Sequence, residues 1–253
     1  MPHTLLISDL HLSADTSTAT DTLLNFLRTK ANSADSLYVL GDLFEYWIGD
    51  EGLAQPFALG VAQEFRALTD KGVPVYFMHG NRDFLLGEQF ARASGMKFLN
   101  DPTVVDLYGT PTLLMHGDTL CSDDVEYQKF RALVRNPAWQ QAFLAKPLDE
   151  RVRMAREVRG ISEQAKQIKD MTIMDVTPAT VEMAFRDHRY ARLIHGHTHR
   201  MARHEHLVDG HSCERWVLAD WYDHGSYLHC DAAGCRLQPL EQARSASGPS
   251  ELR

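Results

Sequence analysis

The sequence predicts an α/β fold in which strands are sandwiched between helices, with a helical segment inserted ahead of a β-rich end. Three observations predict it. From Thr4 to Met78 short apolar runs alternate with stretches of helical periodicity, the pattern of strands covered by helices. Between Asp123 and Pro178 the strand pattern stops and helical periodicity takes over. After Arg192 short strand-like runs return, punctuated by turn residues. A chain of 253 residues, 44% hydrophobic and 24% charged, can bury the core of one domain plus an insertion.

Thr4 to Ser8 reads as a buried strand, and Thr18 to Lys30 as a helix with Leu23, Leu24 and Leu27 at helical spacing. Ser36 to Leu40 is a second strand, Leu53 to Thr69 a second helix and Pro74 to Met78 a third strand. Glu88 to Ala93 is a short helix closed by Gly95, the residue best suited to the left-handed position past a helix end. Thr103 to Leu107 and Thr112 to Met115 are strands joined through Tyr108-Gly109-Thr110-Pro111. The inserted helices should break at Pro137, Pro147 and Gly160. A helix from Ala179 to Arg186 and a strand from Arg192 to His195 follow. Strands at Ala202 to Leu207, Arg215 to Ala219, Ser226 to Cys230 and Arg236 to Leu240 complete the fold, with turns at Asp209-Gly210 and Asp231-Ala232-Ala233-Gly234. The Ser, Gly and Pro residues after Leu240 predict a disordered tail. The domain reading is a core of residues 1–122 and 179–240, a helical cap of 123–178 and a tail of 241–253.

Five apolar runs share one further property, because each ends in residues that bind metals. They are Leu5-Leu6-Ile7-Ser8-Asp9 with His11, Leu37 to Asp42, Val75 to Asn81, Leu113 to Asp118, and Leu193-Ile194-His195-Gly196-His197-Thr198-His199. Strand, glycine, then a ligand-type residue is how a sheet presents chemistry from its loops. A lone Asp-x-His is more often an ordinary loop, but five such ends in one chain predict a metal site. Its candidate ligands are Asp9, His11, Asp42, Asn81, His116, His197 and His199, a set of carboxylates, an amide oxygen and imidazoles without a thiolate. That mixture suits manganese, iron or zinc better than calcium or copper(I). His195 reads as a strand-end histidine, and Cys121 near His116 as a bystander.

In order, Asp9-x-His11, Gly41-Asp42, Gly80-Asn81-Arg82-Asp83, His116-Gly117-Asp118 and Gly196-His197-Thr198-His199 resemble the motif series of calcineurin-like metallophosphoesterases. The resemblance spans Thr4 to about Leu240. It implies a four-layer αββα double β-sandwich with the ligand loops at one edge. It also implies two divalent ions, with manganese as the family expectation. Asp9, His11, Asp42 and His199 would hold one, and Asp42, Asn81, His116 and His197 the other, with Asp42 bridging. Catalysis would then fall to Asp42, Asn81, Arg82, His116 and His197, with a water activated by both ions as nucleophile.

Two departures from the broad family point to a substrate. Where the family usually has histidine after Gly-Asn, this chain has Arg82, whose fork holds a phosphate oxygen but delivers no proton at neutral pH. A leaving group that needs no protonation, such as a phosphate ester, suits that exchange, which favours a pyrophosphate bond. Together with Gly80-Asn81-Arg82-Asp83-Phe84-Leu85, the stretch Asp42-Leu43-Phe44-Glu45-Tyr46-Trp47-Ile48-Gly49-Asp50 resembles the subfamily acting on UDP-2,3-diacylglucosamine in lipid A biosynthesis. That subfamily cleaves at the α-phosphate, giving UMP and 2,3-diacylglucosamine 1-phosphate. The resemblance implies substrate contacts at Asn81, Arg82, Asp124, Arg159, Ser162, Lys166, Lys169 and His197, although relatives carry asparagine in place of Lys166. It further implies a peripheral position on the cytoplasmic face of the inner membrane, with no obligate protein partner. The alternative is a phosphodiesterase or nucleotide pyrophosphatase of the same fold acting on a soluble substrate. A non-catalytic scaffold would have lost ligands, and none is missing.

Val125, Tyr127, Phe130, Leu133, Val134, Trp139, Phe143, Leu144 and Leu148 give the cap more apolar groups than short helices need. They either pack the cap onto the core or leave a chamber for acyl chains. Of the cap's basic residues, Arg151 and Arg153 read as a solvated helix face. A formal charge of -8 argues against a nucleic-acid surface. Met1-Pro2-His3-Thr4 leads straight into the first strand without a charged and apolar leader pattern, so nothing suggests secretion, and no apolar run is long enough to span a bilayer, so any membrane contact is expected to be peripheral. Cys121, Cys213, Cys230 and Cys235 lack CxxC spacing and an extracellular context, so free thiols are expected.

Overall fold

The computed structural model describes residues 1–15, 17–157, 175–222 and 225–240. In chain order the elements are β1 (Thr4–Ile7), α1 (Ser17–Thr29), β2 (Ser36–Val39), α2 (Pro56–Asp70), β3 (Val75–Met78), α3 (Glu88–Ser94), β4 (Lys97–Leu99), β5 (Thr103–Leu107) and β6 (Thr110–Met115). They continue with α4 (Val125–Val134), α5 (Pro137–Leu144), α6 (148–157), α7 (Pro178–Asp187), β7 (Arg192–His195), β8 (Ala202–Val208), β9 (His211–Val217), β10 (Ser226–Asp231) and β11 (Gly234–Pro239). One sheet has the order β11-β10-β1-β2-β3-β4 and the other β5-β6-β7-β9-β8.

Strand alternation builds the layers. Leu5 and Ile7 on one face of β1, with Val39 and Phe77, pack against Leu23 and Phe26 of α1 and Val61 and Phe65 of α2. Leu6 on the opposite face joins Tyr38, Met78, Leu114, Ile194 and Trp216 in the core between the sheets. Beyond the second sheet, Leu113, Met115 and Leu193 meet Val181, Ala184 and Phe185 of α7. The result is the expected helix-sheet-sheet-helix stack, held by three apolar interfaces in which each fully buried large side chain contributes about 1.5–3 kcal/mol. Because β1, β2 and β3 are parallel, as are β6 and β7, their C-terminal loops gather along one edge.

Local signals performed well at element ends. Gly95 takes φ 74° and caps α3, and Pro137 opens α5 behind Asn136, whose side chain accepts from Ala138 N at 2.8 Å. Two expectations need correction, and one strand was not foreseen. β9 starts at His211 rather than Arg215, because Asp209-Gly210 forms a tight turn that pairs polar His211 with Val208. The short edge strand β4 carried no alternating pattern to reveal it. The free-thiol expectation fails for Cys230 and Cys235, which face each other across the β10–β11 register with Cα atoms 4.1 Å apart and form a disulfide. Cys121 and Cys213 remain reduced and buried.

Arg151 also departs from its expected solvated face. It is 2% exposed, and its guanidinium donates to Ile48 O at 2.6 Å and to the Glu51 carboxylate at 2.7 and 3.2 Å. Gly49 makes room, since a Cβ there would lie 2.3 Å from Arg151 Nη1. Arg153, by contrast, is exposed beside Glu157. Of the apolar residues expected to belong to a cap, Val134 and Phe143 are buried and Trp139 packs on the core, while Val125, Leu133, Leu144 and Leu148 stay exposed. Arg159, Ser162, Lys166, Lys169, the Gly160 break and the tail lie outside the described residues. No helix among the described residues is long and apolar enough to cross a membrane.

Candidate metal centre

The edge where the parallel strands end carries an unusual backbone. Asp9, His11, Asp42, His197 and His199 all have φ between 50° and 66°, in the left-handed region that non-glycine residues seldom occupy. Such strain concentrates at functional sites when the surroundings enforce it. Here backbone bonds lace the loops together: Asp9 N donates to Gly41 O, His11 N to Asp42 O, and Gly196 N to His116 O, at 2.9–3.1 Å. Two glycines permit the approach. A Cβ on Gly80 would fall 2.1 Å from Asp42 Oδ1, and one on Gly196 would fall 2.2 Å from Asp9 Oδ2.

These loops bring all seven candidate ligands to one place. His11 Nε2 lies 3.3 Å from His199 Nε2, and His199 Nε2 lies 3.4 Å from Asp9 Oδ1. On the other side His116 Nε2 and His197 Nδ1 each lie 2.9 Å from the same oxygen, Asn81 Oδ1. Asp42 stands between, with Oδ2 3.9 Å from His11 Nε2 and Oδ1 3.8 Å from His116 Nε2. Asp9, His11 and His199 form one group able to hold a metal, and Asp9, Asp42 and His116 another.

The donor set fits a divalent cation for a reason visible in its protons. His116 Nδ1 lies 2.8 Å from Leu40 O, which places a proton on that nitrogen. In neutral His116 the Nε2 lone pair then faces the Asn81 oxygen lone pairs, an arrangement that needs a positive charge between them. Asp9 Oδ1 is likewise buried without a hydrogen-bond donor. Without a metal, protons supply that charge. Burial disfavours charged His116, yet the Asp42, Asp118 and Asp9 carboxylates outweigh it and raise the imidazole to about 9. Burial also acts against charged His199, but the Asp220 and Asp9 carboxylates beside it raise it to about 10. Burial, with the charge on His116, lowers His197 to about 4.

The sign follows. Because both raised values lie above the ordinary 6.5, the stabilisation from protonated His116 and His199 is complete below pH 6.5 and is lost as pH rises through 9 to 10. A metal must displace these protons, so cation uptake at pH 7 should release about two protons per chain. Calorimetric titrations in buffers of different ionisation enthalpy would read this directly. Heats independent of buffer would show that the imidazoles are neutral before binding.

Residues 2–201 match the family described as calcineurin-like phosphoesterase. This chain belongs to the calcineurin-like phosphoesterases. Among its relatives is a UDP-2,3-diacylglucosamine hydrolase of Aromatoleum aromaticum, 52% identical, covering 91% of this chain and 94% of the relative. Proteins of the same name from Stenotrophomonas maltophilia strain K279a and Xanthomonas axonopodis pv. citri are 49% and 51% identical, each covering 94% of this chain and 98% of the relative.

In this calcineurin-like phosphoesterase several acids not singled out from sequence hold the ligand loops. Asp83 is fully buried and accepts from the backbone N–H of Gly80, Leu43, Asp42 and Phe44 at 2.6–3.4 Å, tying two loops together. Burial and the Asp42 charge push its carboxyl up to about 7, against the pull of those amides. Glu45 lies 3.3 Å from His11 Nδ1 and 3.8 Å from Arg82 Nη1, and accepts from Tyr222 OH at 3.0 Å. Burial disfavours its charge, but His11 and Arg82 prevail and lower it to about 2. Asp220 lies 3.0 Å from His199 Nδ1, and Tyr222 stacks on His11 with ring centroids 4.9 Å apart. Asp83 could have been read from its place as the last residue of the third motif. Asp220 and Tyr222 had no such signal.

Several residues prove to have structural partners. His195 Nε2 accepts from Arg215 Nη1 at 3.0 Å, and burial with that cation lowers it to about 3. Burial, with the Asp118 charge, pushes the Cys121 thiol up to about 12, so no thiolate nucleophile stands near His116 at neutral pH. Asp124 caps α4, accepting from Tyr127 N at 3.1 Å. The Phe44 to Asp50 stretch packs Phe44 and Trp47 on Phe90, and Asp50 accepts from Trp47 Nε1 and from the N–H groups of Gly87, Gln89 and Phe90. That stretch therefore anchors α3 beside the centre.

Proposed function

We propose that this chain hydrolyses the pyrophosphate bond of UDP-2,3-diacylglucosamine in lipid A biosynthesis, releasing UMP and 2,3-diacylglucosamine 1-phosphate. The observation that carries this reading is the likeness, at 49–52% identity across more than nine-tenths of each chain, to relatives bearing that substrate in their name. The converging ligand set supports it.

Asp9, His11, Asp42 and His199 would hold one divalent ion, and Asp42, Asn81, His116 and His197 a second. Two such ions, manganese in this proposal, would supply Lewis acidity to the phosphoryl oxygens and acidify the attacking water when bound. The residues do the rest. Arg82, kept in place by Glu45 and by its own N–H on Asp42 Oδ1 at 2.8 Å, offers its fork to a phosphate oxygen. Water attacks the uridine-side phosphorus and the bond to the bridging oxygen breaks. The departing sugar phosphate keeps that oxygen and needs no protonation to leave.

The cap would take the diacylated sugar. Exposed Val125, Leu133, Leu144 and Leu148 support a role in meeting acyl chains or the surface of the inner membrane, where we place the enzyme as a peripheral protein on the cytoplasmic face. Asp124, Arg159, Ser162, Lys166 and Lys169 are the proposed polar contacts alongside Asn81, Arg82 and His197.

Purified protein with manganese should release UMP from UDP-2,3-diacylglucosamine, with oxygen from labelled water appearing in UMP. Label in the sugar phosphate would overturn attack at the uridine side. Equal rates on the acylated and deacylated UDP-sugar would instead assign the chain to soluble substrates.

A further inference from the structure

Helix α4 belongs to the segment expected to face substrate, yet one of its faces points into the metal centre. Tyr127, Arg131 and Arg135 follow one another at spacings of four, and Gln128 lies three residues before Arg131. The Tyr127 hydroxyl donates to Asp118 Oδ2 at 2.5 Å, and Arg131 Nε donates to the same oxygen at 2.7 Å. Gln128 Nε2 donates to the Asp118 and Cys121 carbonyls at 2.8 and 3.1 Å. Arg135 Nη2 donates to Gly80 O at 2.8 Å and to His79 O at 3.3 Å. The Tyr127 ring also stacks on His197, with centroids 5.9 Å apart.

Apart from the Gln128 bond to Cys121, these contacts fall on Asp118, on the loop of Gly80 or on His197, all in one half of the centre. Asp118 is fully buried and lies two residues past His116, and Gly80 directly precedes Asn81. His116 and His197 both meet the Asn81 oxygen. None of these bonds falls on Asp9, His11 or His199. Removing Arg131 would leave the Asp118 carboxylate short of its cation in a buried site, which forces a local rearrangement rather than a surface adjustment.

We propose that α4 positions the His116–Asn81–His197 half of the centre, so that loosening its grip weakens divalent-cation binding in that half alone. The proposal rests on the two-ion reading above. It makes Tyr127, Arg131 and Arg135 positioning residues, and it ties the helix next to the acyl-binding surface to the geometry at the metals.

The test is a titration of metal-stripped, full-length protein with Mn2+ alone, following free Mn2+ by electron paramagnetic resonance. Wild type should take up two ions. Arg131→Gln should weaken one of them about tenfold to a hundredfold and leave the other unchanged, the usual effect of removing a partner behind a ligand. Arg135→Gln acts through the Asn81 loop rather than Asp118 and should weaken the same ion, which keeps the test open if Arg131→Gln fails to fold. Combining each change with His116→Ala or His11→Ala identifies the half. The further loss should appear with His11→Ala and vanish with His116→Ala. Equal weakening of both ions, or the same loss in both backgrounds, would overturn the proposal. A wild type that binds fewer than two ions would overturn the two-ion reading itself, and shows before any variant is made.

Discussion

Replacing Asp42 with alanine should lower hydrolysis of UDP-2,3-diacylglucosamine by roughly a thousandfold or more, as expected when a residue acting as part of a catalytic unit is lost. The expectation comes from position. Asp42 is 2% exposed, and its two oxygens face opposite ways, Oδ2 toward His11 and Oδ1 toward His116. A carboxylate so placed neutralises charge on both sides, and its loss removes the group that would join two cations. The Oδ1 atom also accepts from Arg82 N at 2.8 Å, so the same change releases the arginine proposed to hold phosphate. Asp42→Asn separates these roles, because an amide oxygen can still accept from Arg82 N but carries no charge. If charge is what matters, Asp42→Asn should be nearly as inactive as Asp42→Ala and should bind less manganese. Initial rates of UMP release with metal analysis of each variant check this. Retention of a tenth or more of wild-type activity by Asp42→Ala would remove Asp42 from the centre of the mechanism.

The largest effect on stability is expected at Asp83, which no ligand assignment includes. Its carboxylate collects backbone N–H groups from the loop after β2 and the loop after β3, and is fully buried while doing so. Alanine would strip the acceptor from all of them at once. At about 1–3 kcal/mol for each buried donor left unpaired, two orphaned groups already cost about 2–6 kcal/mol. For a chain of this size that lowers Tm by about 5 °C or more. Asp83→Asn retains one oxygen and should fall between wild type and Asp83→Ala. Differential scanning calorimetry of metal-stripped samples separates loop cohesion from metal stabilisation. A variant Asp83→Ala melting with wild type would show that the loops hold by other means. Loss of activity should accompany loss of stability, since Asp42 and Asn81 sit on the loops that Asp83 joins.

What could be read from residues alone was what short-range physics encodes. The continuous apolar runs Leu5-Leu6-Ile7 and Leu37 to Val39 placed strands with two buried faces, and the helical spacing of Leu23, Leu24 and Leu27 placed α1. Gly95 and Pro137 marked helix ends because left-handed geometry and a missing N–H act within one turn. The succession of apolar runs ending in Asp9, Asp42, Asn81, His116 and His197 named the ligand types in order, since strand ends and their loops are contiguous in sequence.

Tertiary structure decided everything that depends on which distant residues meet. Cys230 and Cys235 look like two spare thiols until hairpin register sets them opposite each other. Arg151 carries the same charge as exposed Arg153, and only the packing of α6 on the Ile48 to Glu51 turn buries it. Asp83 and Asp118 were visible as letters in motifs, but their function as loop anchors needs the loop backbone after β2 and β3 and the α4 side chains around them. The sequence by itself thus determined the strands, the helix ends and the chemical type of each ligand, because those follow from neighbours along the chain. The structure alone decided that one amide oxygen meets two imidazoles and that α4 side chains bond the loops behind them, because those contacts join residues far apart in the chain whose approach no local preference encodes.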